Sequence, residues 1–251
     1  MTSTFELKVK NMYSAQILKK TQTKLCLSLD IEHVDSLFPG FLIGDFAVIH
    51  GSSTVQSLLP TLCVKAQLPY QLGGLETNVL FVDGANSFRL YEISELAQRW
   101  ELDPKQVLEK IFVSRAFTAY QLVSLILDQL QNAIKKYETK VVILSNPAYL
   151  FLDKDIPKKE SEEIFKQLTE YLSSFAETNK IILIATHKPY LWSKRTTFFK
   201  QTLCESANVV ASIKKANQTP HFILEKHHFL QLGKAEFPSS NKCTLLDFVK
   251  G

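Results

Sequence analysis

"DFAVIHGSSTVQSLLPTLCVKAQLP", residues 45–69, is the stretch on which the rest of the chain is read. An apolar run ends at Gly51, a polar turn follows, and then comes a stretch with helical character. A strand, turn and helix in this order is where a nucleotide-binding protein keeps its phosphate loop, G-x-x-x-x-G-K-[ST]. In that motif backbone amides cradle the phosphates, the lysine contacts the outer ones and the hydroxyl holds Mg²⁺. Counting from Gly51 places the second glycine at Gln56, the lysine at Ser57 and the hydroxyl at Leu58. Sliding the frame by one puts Gln56 on the lysine and Ser57 on the hydroxyl, but Val55 then replaces the glycine. Neither frame holds a lysine, and Lys65 lies too far along the helix to substitute. The helix N-terminus near Thr54 keeps the general capacity of such ends to attract an anion.

Outward from this stretch, "NVLFVDG" (78–84), "VVILSN" (141–146) and "IILIAT" (181–186) join "FAVIH" (46–50) as short, continuous apolar runs. Runs of this kind belong to parallel strands covered on both faces. Helical spacing fills the intervals. "YEISELAQRW" (91–100) sets Ile93, Leu96, Ala97 and Trp100 on one face, and Asp103-Pro104 is a strong helix start. Residues 118–137 carry Leu122, Leu125, Ile126, Gln129, Leu130 and Ala133. Residues 161–178 carry Ile164, Phe165, Leu168, Leu172 and Phe175, with Ser161 in the capping position. "NVVASIKK" (208–215) and "HFILEKHHFL" (221–230) read as a hairpin that extends the sheet. The expectation is an α/β core over residues 25–251: a mostly parallel twisted sheet with helices on both faces and a C-terminal β-hairpin. Residues 1–24 form a basic extension, with Lys8, Lys10, Lys19, Lys20 and Lys24 against Glu6.

The chain has 251 residues, 45% hydrophobic and 22% charged, enough to bury a sizeable core and unlike a disordered segment. No apolar run reaches membrane-spanning length, and the N-terminus lacks the layout of a signal peptide. Cys26, Cys63, Cys204 and Cys243 are scattered without a C-x-x-C pair, which argues against a zinc site or a disulfide framework and for a reducing, intracellular home. The net charge of +4 permits a nucleic-acid partner without requiring one.

Three stretches carry a resemblance. "LSLDIEHVDSLFPGFLIGDFAVIHG" (27–51) is followed by residues 68–126, where an aspartate-ending strand, Ser-Phe-Arg, a helix, an Asp-Pro linker and "SRAF" come in order. "SANVVASIKK", "FILEKHH" and "GKAEFP" close the chain between residues 206 and 237. The order resembles the RecA/RadA recombinase superfamily, archaeal RadA and the eukaryotic recombinase paralogs in particular. The resemblance implies a Mg²⁺-holding aspartate at the end of "VVILS", where this chain has Ser145, and a water-orienting carboxylate where it has Ala85. Asp83 and Arg89 remain, both open to structural roles. With the phosphate lysine, the metal ligand and the water-positioning group all absent, the resemblance implies a recombinase paralog without catalytic residues, cofactor or metal, a pseudo-ATPase.

In that family two loops after these strands face DNA. The second corresponds to residues 187–201, where Lys188, Lys194, Arg195 and Lys200 interleave with Tyr190, Trp192, Phe198 and Phe199. Cations for phosphates beside aromatics for bases is the composition of a single-strand-binding surface. The other reading is a solvated loop whose aromatics pack on the core. "KKESEE" (158–163) reads as a solvated helix start. His187 and Thr186 follow a strand end and read as structural, and the adjacent His227 and His228, on a strand, point to opposite faces. The expected partners are a RecA-family recombinase or another paralog, with residues 4–10 as a strand for edge pairing, and single-stranded DNA, in the cytoplasm or nucleoid of a prokaryote or the nucleus of a eukaryote. The alternative is an interaction scaffold of the same fold with no DNA role; a third is an ATPase with a relocated lysine.

Overall fold

A computed structural model describes residues 26–188, 193–216 and 219–237. The extension 1–24 with its strand at 4–10, Tyr190, Trp192 and Cys243 lie outside the described residues. Two short strands, β1 (Cys26–Leu27) and β2 (Phe41–Leu42), pair antiparallel around helix α1 (Glu32–Asp35). The main elements follow as β3 (Phe46–Gly51), α2 (Thr54–Lys65), β4 (Asn78–Asp83), α3 (Leu90–Arg99), α4 (Pro104–Glu109) and β5 (Ile111–Arg115). Then come α5 (Ala119–Ser124), α6 (Leu130–Lys136), β6 (Thr139–Ser145), α7 (Lys158–Asn179), β7 (Ile182–His187) and α8 (Lys194–Ser206). The chain closes with β8 (Val209–Ala216), β9 (Thr219–Lys226) and β10 (Gly233–Glu236).

These strands make one eight-stranded sheet in the order β10-β9-β8-β3-β7-β6-β4-β5. From β8 to β5 every pairing is parallel, and β9 and β10 add antiparallel at one side. The apolar runs are continuous because both faces are covered. In β6, Val141 and Ile143 pack with α2 and α3, while Val142 and Leu144 pack with α7 and α8. Ala47 and Ile49 of β3 join the first of these cores, Phe46 and Val48 the second. Each fully buried side chain of this size contributes about 1.5–3 kcal/mol. This is the expected architecture, a mostly parallel sheet between two helical layers.

Local signals hold at α4, where Asp103 accepts from the Lys105 amide at 2.9 Å ahead of Pro104. Three readings change. Helix α7 begins at Lys158, directly after Pro157, so Ser161 is not its cap. Ser161 is buried inside the first turns, its hydroxyl donating to the Lys158 carbonyl at 2.8 Å. The helix expected over 118–137 is interrupted by a π-turn, Leu125–Gln129, between α5 and α6. Its buried residues Leu122, Ile126, Leu130 and Ile134 recur every four positions, which a straight helix of 3.6 residues per turn cannot keep on one face. The wider turn restores the register and leaves Gln129 exposed. Strand β9 ends at Lys226, so His227 and His228 stand beyond it. Their rings stack at 4.9 Å with planes 10° apart and do not point to opposite faces.

Candidate functional site

Strand β3 leads into α2 on one face of the sheet, and its neighbour β7 leads towards α8 on the other. Connections that part in this way leave a crevice at the carboxyl ends of the strands, the usual ligand position in such sheets. Gly51 and His187 sit at its rim.

The turn at Gly51 is short. Only Ser52 and Ser53 separate the end of β3 from the start of α2, whereas the phosphate-loop motif needs four residues between its glycines. Gly51 has φ +132°, and a Cβ there would lie 2.2 Å from the Ile213 carbonyl oxygen of β8. Its glycine is therefore required by backbone packing. The Ser52 amide donates to that same carbonyl at 3.0 Å, and the Val55 and Gln56 amides donate to Ser52 and Ser53. Amides that would face phosphate are turned to protein carbonyls. Thr54 opens α2, Gln56 is half-buried in its first turn and Ser57 is exposed. Lys65 is buried at the far end, donating to the Leu72 carbonyl at 2.9 Å, paired with Asp30 at 3.2 Å and set over the Trp100 ring.

The second half of the site is equally occupied. Asp83 is fully buried. Its carboxylate accepts from the amides of Ala85, Ser87 and Phe88 and from the Ser87 hydroxyl, with the Arg115 guanidinium 3.6 Å away. It organises the turn after β4. The Ser145 hydroxyl, also buried, is hydrogen-bonded to that of Ser87. Ala85 is half-buried and brings no carboxylate. Arg89 pairs on the surface with Glu92 at 3.6 Å. Thr186 accepts from the Asn146 amide at 3.1 Å. Among these residues there is no free lysine, and the one carboxylate is committed to its own turn. Among the described residues no cluster of three His, Cys, Asp or Glu side chains is placed to hold a metal ion.

What the crevice does contain was not legible in the motif. It is a cleft of about 610 Å³ between the ends of β3, β7 and β8 and helix α8, with His50, His187, Lys200 and Lys214 among its walls. His50 and His187 sit side by side in the pairing of β3 with β7. The His50 Nε2 meets the Glu225 carboxylate of β9 at 2.8 Å, and an ionised carboxylate only accepts, so the imidazole donates. Burial raises the Glu225 carboxyl, but hydrogen bonds from Ser212, Lys214 and His50 outweigh it and bring the group to about 2. Burial lowers His50 despite that bond. Burial, with the charges of His50 and Lys200, lowers His187 to about 4.

The expected DNA-facing cations are divided between two sides. Helix α8 begins at Lys194, so most of 187–201 is not a loop. Lys188 and Lys200 border the cleft, and Lys194 is exposed at the helix start. Arg195 turns inward. Its guanidinium donates to the Ile156 carbonyl at 3.2 Å and the Ser161 hydroxyl at 2.9 Å, bracing α8 against α7. Phe199 is wholly buried against Phe151 and Phe165, and Phe198 packs on the same core. Tyr190 and Trp192 fall outside the described residues. The cationic start of α7, Lys158 and Lys159, is exposed, as a solvated helix start should be.

These pKa directions give a test. His187 is held from 6.5 down to about 4 in the folded protein. A group depressed on folding stabilises above its unfolded value and withdraws that stabilisation as pH falls. Urea unfolding is therefore expected to weaken from pH 6.5 to pH 4, by up to about 3 kcal/mol from His187. A second decline, from Glu225, is expected between pH 4.5 and pH 2. His227, also lowered to about 4 by burial and by the charge of His228, and His50, lowered by burial, add to the first window, so His187→Leu should shrink that decline without abolishing it and leave the second.

A family model, Rad51, matches residues 22–189. The DNA repair and recombination protein RadA of Cenarchaeum symbiosum (strain A) is 26% identical over 185 residues, covering 69% of this chain and 45% of that protein. The meiotic recombination protein DLH1 of Candida albicans is 30% identical over 134 residues, covering 52% of this chain and 41% of that protein. The chain thus spans less than half the length of these two curated relatives. The matched residues run from the first strand through the β3–α2 turn to the end of β7, which carries the β3 and β7 walls of the crevice but not those of α8 and β8, and the chain belongs to the Rad51 family.

Proposed function

We propose that this chain serves homologous recombination and DNA repair as a non-catalytic family member. In this reading it engages a RecA-family recombinase or another paralog, and single-stranded DNA, and neither binds nor hydrolyses Mg·ATP. The observation that carries the proposal is the two-residue turn at Gly51, closed by the Ile213 carbonyl. Phosphoryl transfer depends almost wholly on groups placed in advance around the phosphates. Here the phosphate cation, the metal carboxylate and the water-orienting carboxylate are replaced by Gln56 or Ser57, Ser145 and Ala85. Lys65, the nearest lysine along α2, is held by Asp30 and Leu72, which speaks against a relocated cation. The similarity to a DNA repair and recombination protein and to a meiotic recombination protein supports the pathway.

Assembly in this reading rests on constitutive contacts in place of a nucleotide switch. Strand β5 ends the sheet order, and an edge strand is a ready template for a partner's strand. Val113 on it and Phe117 just beyond it are exposed. The scaffold reading, without DNA, draws support from Arg195 and Phe199, which serve packing.

Calorimetric titration of the purified chain with Mg·ATP is expected to show no micromolar, magnesium-dependent binding; such binding would sink the proposal. On size-exclusion chromatography the chain is expected to co-elute with the cell's recombinase or a paralog without nucleotide. Migration as a monomer beside every such partner counts against it.

Single-strand binding is read by fluorescence anisotropy at several salt concentrations. Three phosphate contacts, from Lys188, Lys194 and Lys200, give a slope of log affinity on log salt of about −2, and Lys194→Ala flattens it by about 0.7. Trp192→Ala weakens binding by ~1–3 kcal/mol with the slope unchanged, as loss of a stacking platform should. Arg195→Ala is expected to lower stability and leave the slope alone. Absence of binding even at low salt hands the function to the scaffold reading.

A further inference from the structure

We propose that β10 is a dimerisation strand, on which two copies of this chain pair antiparallel about a two-fold axis through Ala235. Strand β10 closes the sheet order on the side away from β5, with β9 on one flank and no described strand on the other. It has neither proline nor bulge, so nothing in its backbone blunts it as an edge. The register shows which groups face outward. Just past the end of β10, the Phe237 amide donates to the Pro220 carbonyl of β9 at 2.9 Å. Antiparallel bonding alternates along a strand, so Gly233 and Ala235 also turn their amides and carbonyls to β9, while Lys234 and Glu236 turn theirs to the open edge. A second β10 laid antiparallel about Ala235 sets Lys234 opposite the Glu236 of the other copy, and Glu236 opposite its Lys234. The outward amides and carbonyls of both copies then find partners.

The side chains specify the same register. Ala235 packs against the first core, and Lys234 and Glu236, on the other face of the strand, are exposed. Neither charged group makes an ion pair or a side-chain hydrogen bond with any described residue. A lone lysine on an edge strand deters pairing. With a glutamate two positions on, the same lysine selects one pairing, because opposite charges directly across two strands stabilise them and like charges oppose them. An axis through Lys234 sets lysine against lysine, and an axis through Glu236 sets glutamate against glutamate. Only the axis through Ala235 answers both charges, and it gives the closed, self-complementary arrangement of an isologous dimer. The opposite edge of the sheet is a poorer partner: β5 carries Arg115 and no carboxylate, so it offers Lys234 no counter-charge. A dimer closed at β10 leaves both β5 edges open, so one assembly presents two of them to partners. The inference does not rest on the nucleotide or single-strand readings.

The test is sedimentation velocity of the full chain over a range of concentrations, at low salt and without nucleotide. A monomer–dimer equilibrium is expected. Lys234→Glu and Glu236→Lys should each weaken it about tenfold, with unchanged circular dichroism, since each variant turns both opposite-charge pairs into like-charge pairs. The double variant carrying both exchanges should dimerise as the parent does. An equimolar mixture of the two single variants should dimerise as well, because every acid of one copy then faces a base of the other. Lys135→Glu, the same change of charge on α6, should leave the equilibrium as it was. A chain that stays monomeric up to its solubility limit overturns the proposal. A mass that keeps growing past the dimer overturns it too, as the mark of head-to-tail pairing between β10 and β5. So does a dimer indifferent to the single variants, or one that neither the double variant nor the mixture recovers.

Discussion

The carbonyl of Ile213 reaches across from β8 to within hydrogen-bonding distance of the Ser52 amide, and the rest of the site depends on that contact. It requires a glycine at residue 51, because any Cβ there would collide with the same oxygen. It ends β3 and commits the chain to α2 within two residues. A phosphate loop needs its amides unpaired and turned to one centre, and here the strand pulled this close takes that of Ser52, while those of Val55 and Gln56 bond within the turn. The glycine that heads the motif in the sequence is thus required by β8 packing.

The polar groups around this turn follow the same logic. Asp83, Ser87 and Ser145 form a buried network that is satisfied within the protein, with each carboxylate oxygen accepting from backbone or hydroxyl. Such a network fixes the turn after β4. The uncompensated charge lies on the other side of Gly51. There the side chains of β8 and α8 put lysines beside two buried histidines, and a single carboxylate, Glu225, is shared among three donors.

Much of the fold was legible because it is written in local pattern. The four apolar runs, the Asp103-Pro104 start and the hairpin all appear where their periodicity places them. The start of α7 was misplaced because Ser161 has the chemistry of a cap, while Pro157 sets the beginning of the helix and Arg195, thirty-four positions on, occupies the serine hydroxyl. The π-turn was hidden because apolar residues four apart fit a helix nearly as well as residues at mixed spacing of three and four. The histidine pair was assigned to a strand that ends one residue earlier.

By itself the sequence determined what family this chain comes from and which residues stand at the positions of that family's motif. The β3–α2 turn carries no lysine, and Ser145 and Ala85 carry no carboxylate. Only the tertiary structure decided what stands in their place. His50 and Glu225 are 175 positions apart and meet because β3, β8 and β9 are neighbours in the sheet. Arg195 and Lys200 look alike in the sequence as cations of one stretch. On α8 one is drawn in to Ile156 and Ser161, and the other is turned to the cleft. Composition sets the charges a segment carries; the helix on which they are wound, and the layer it packs against, sets which of them a ligand can reach.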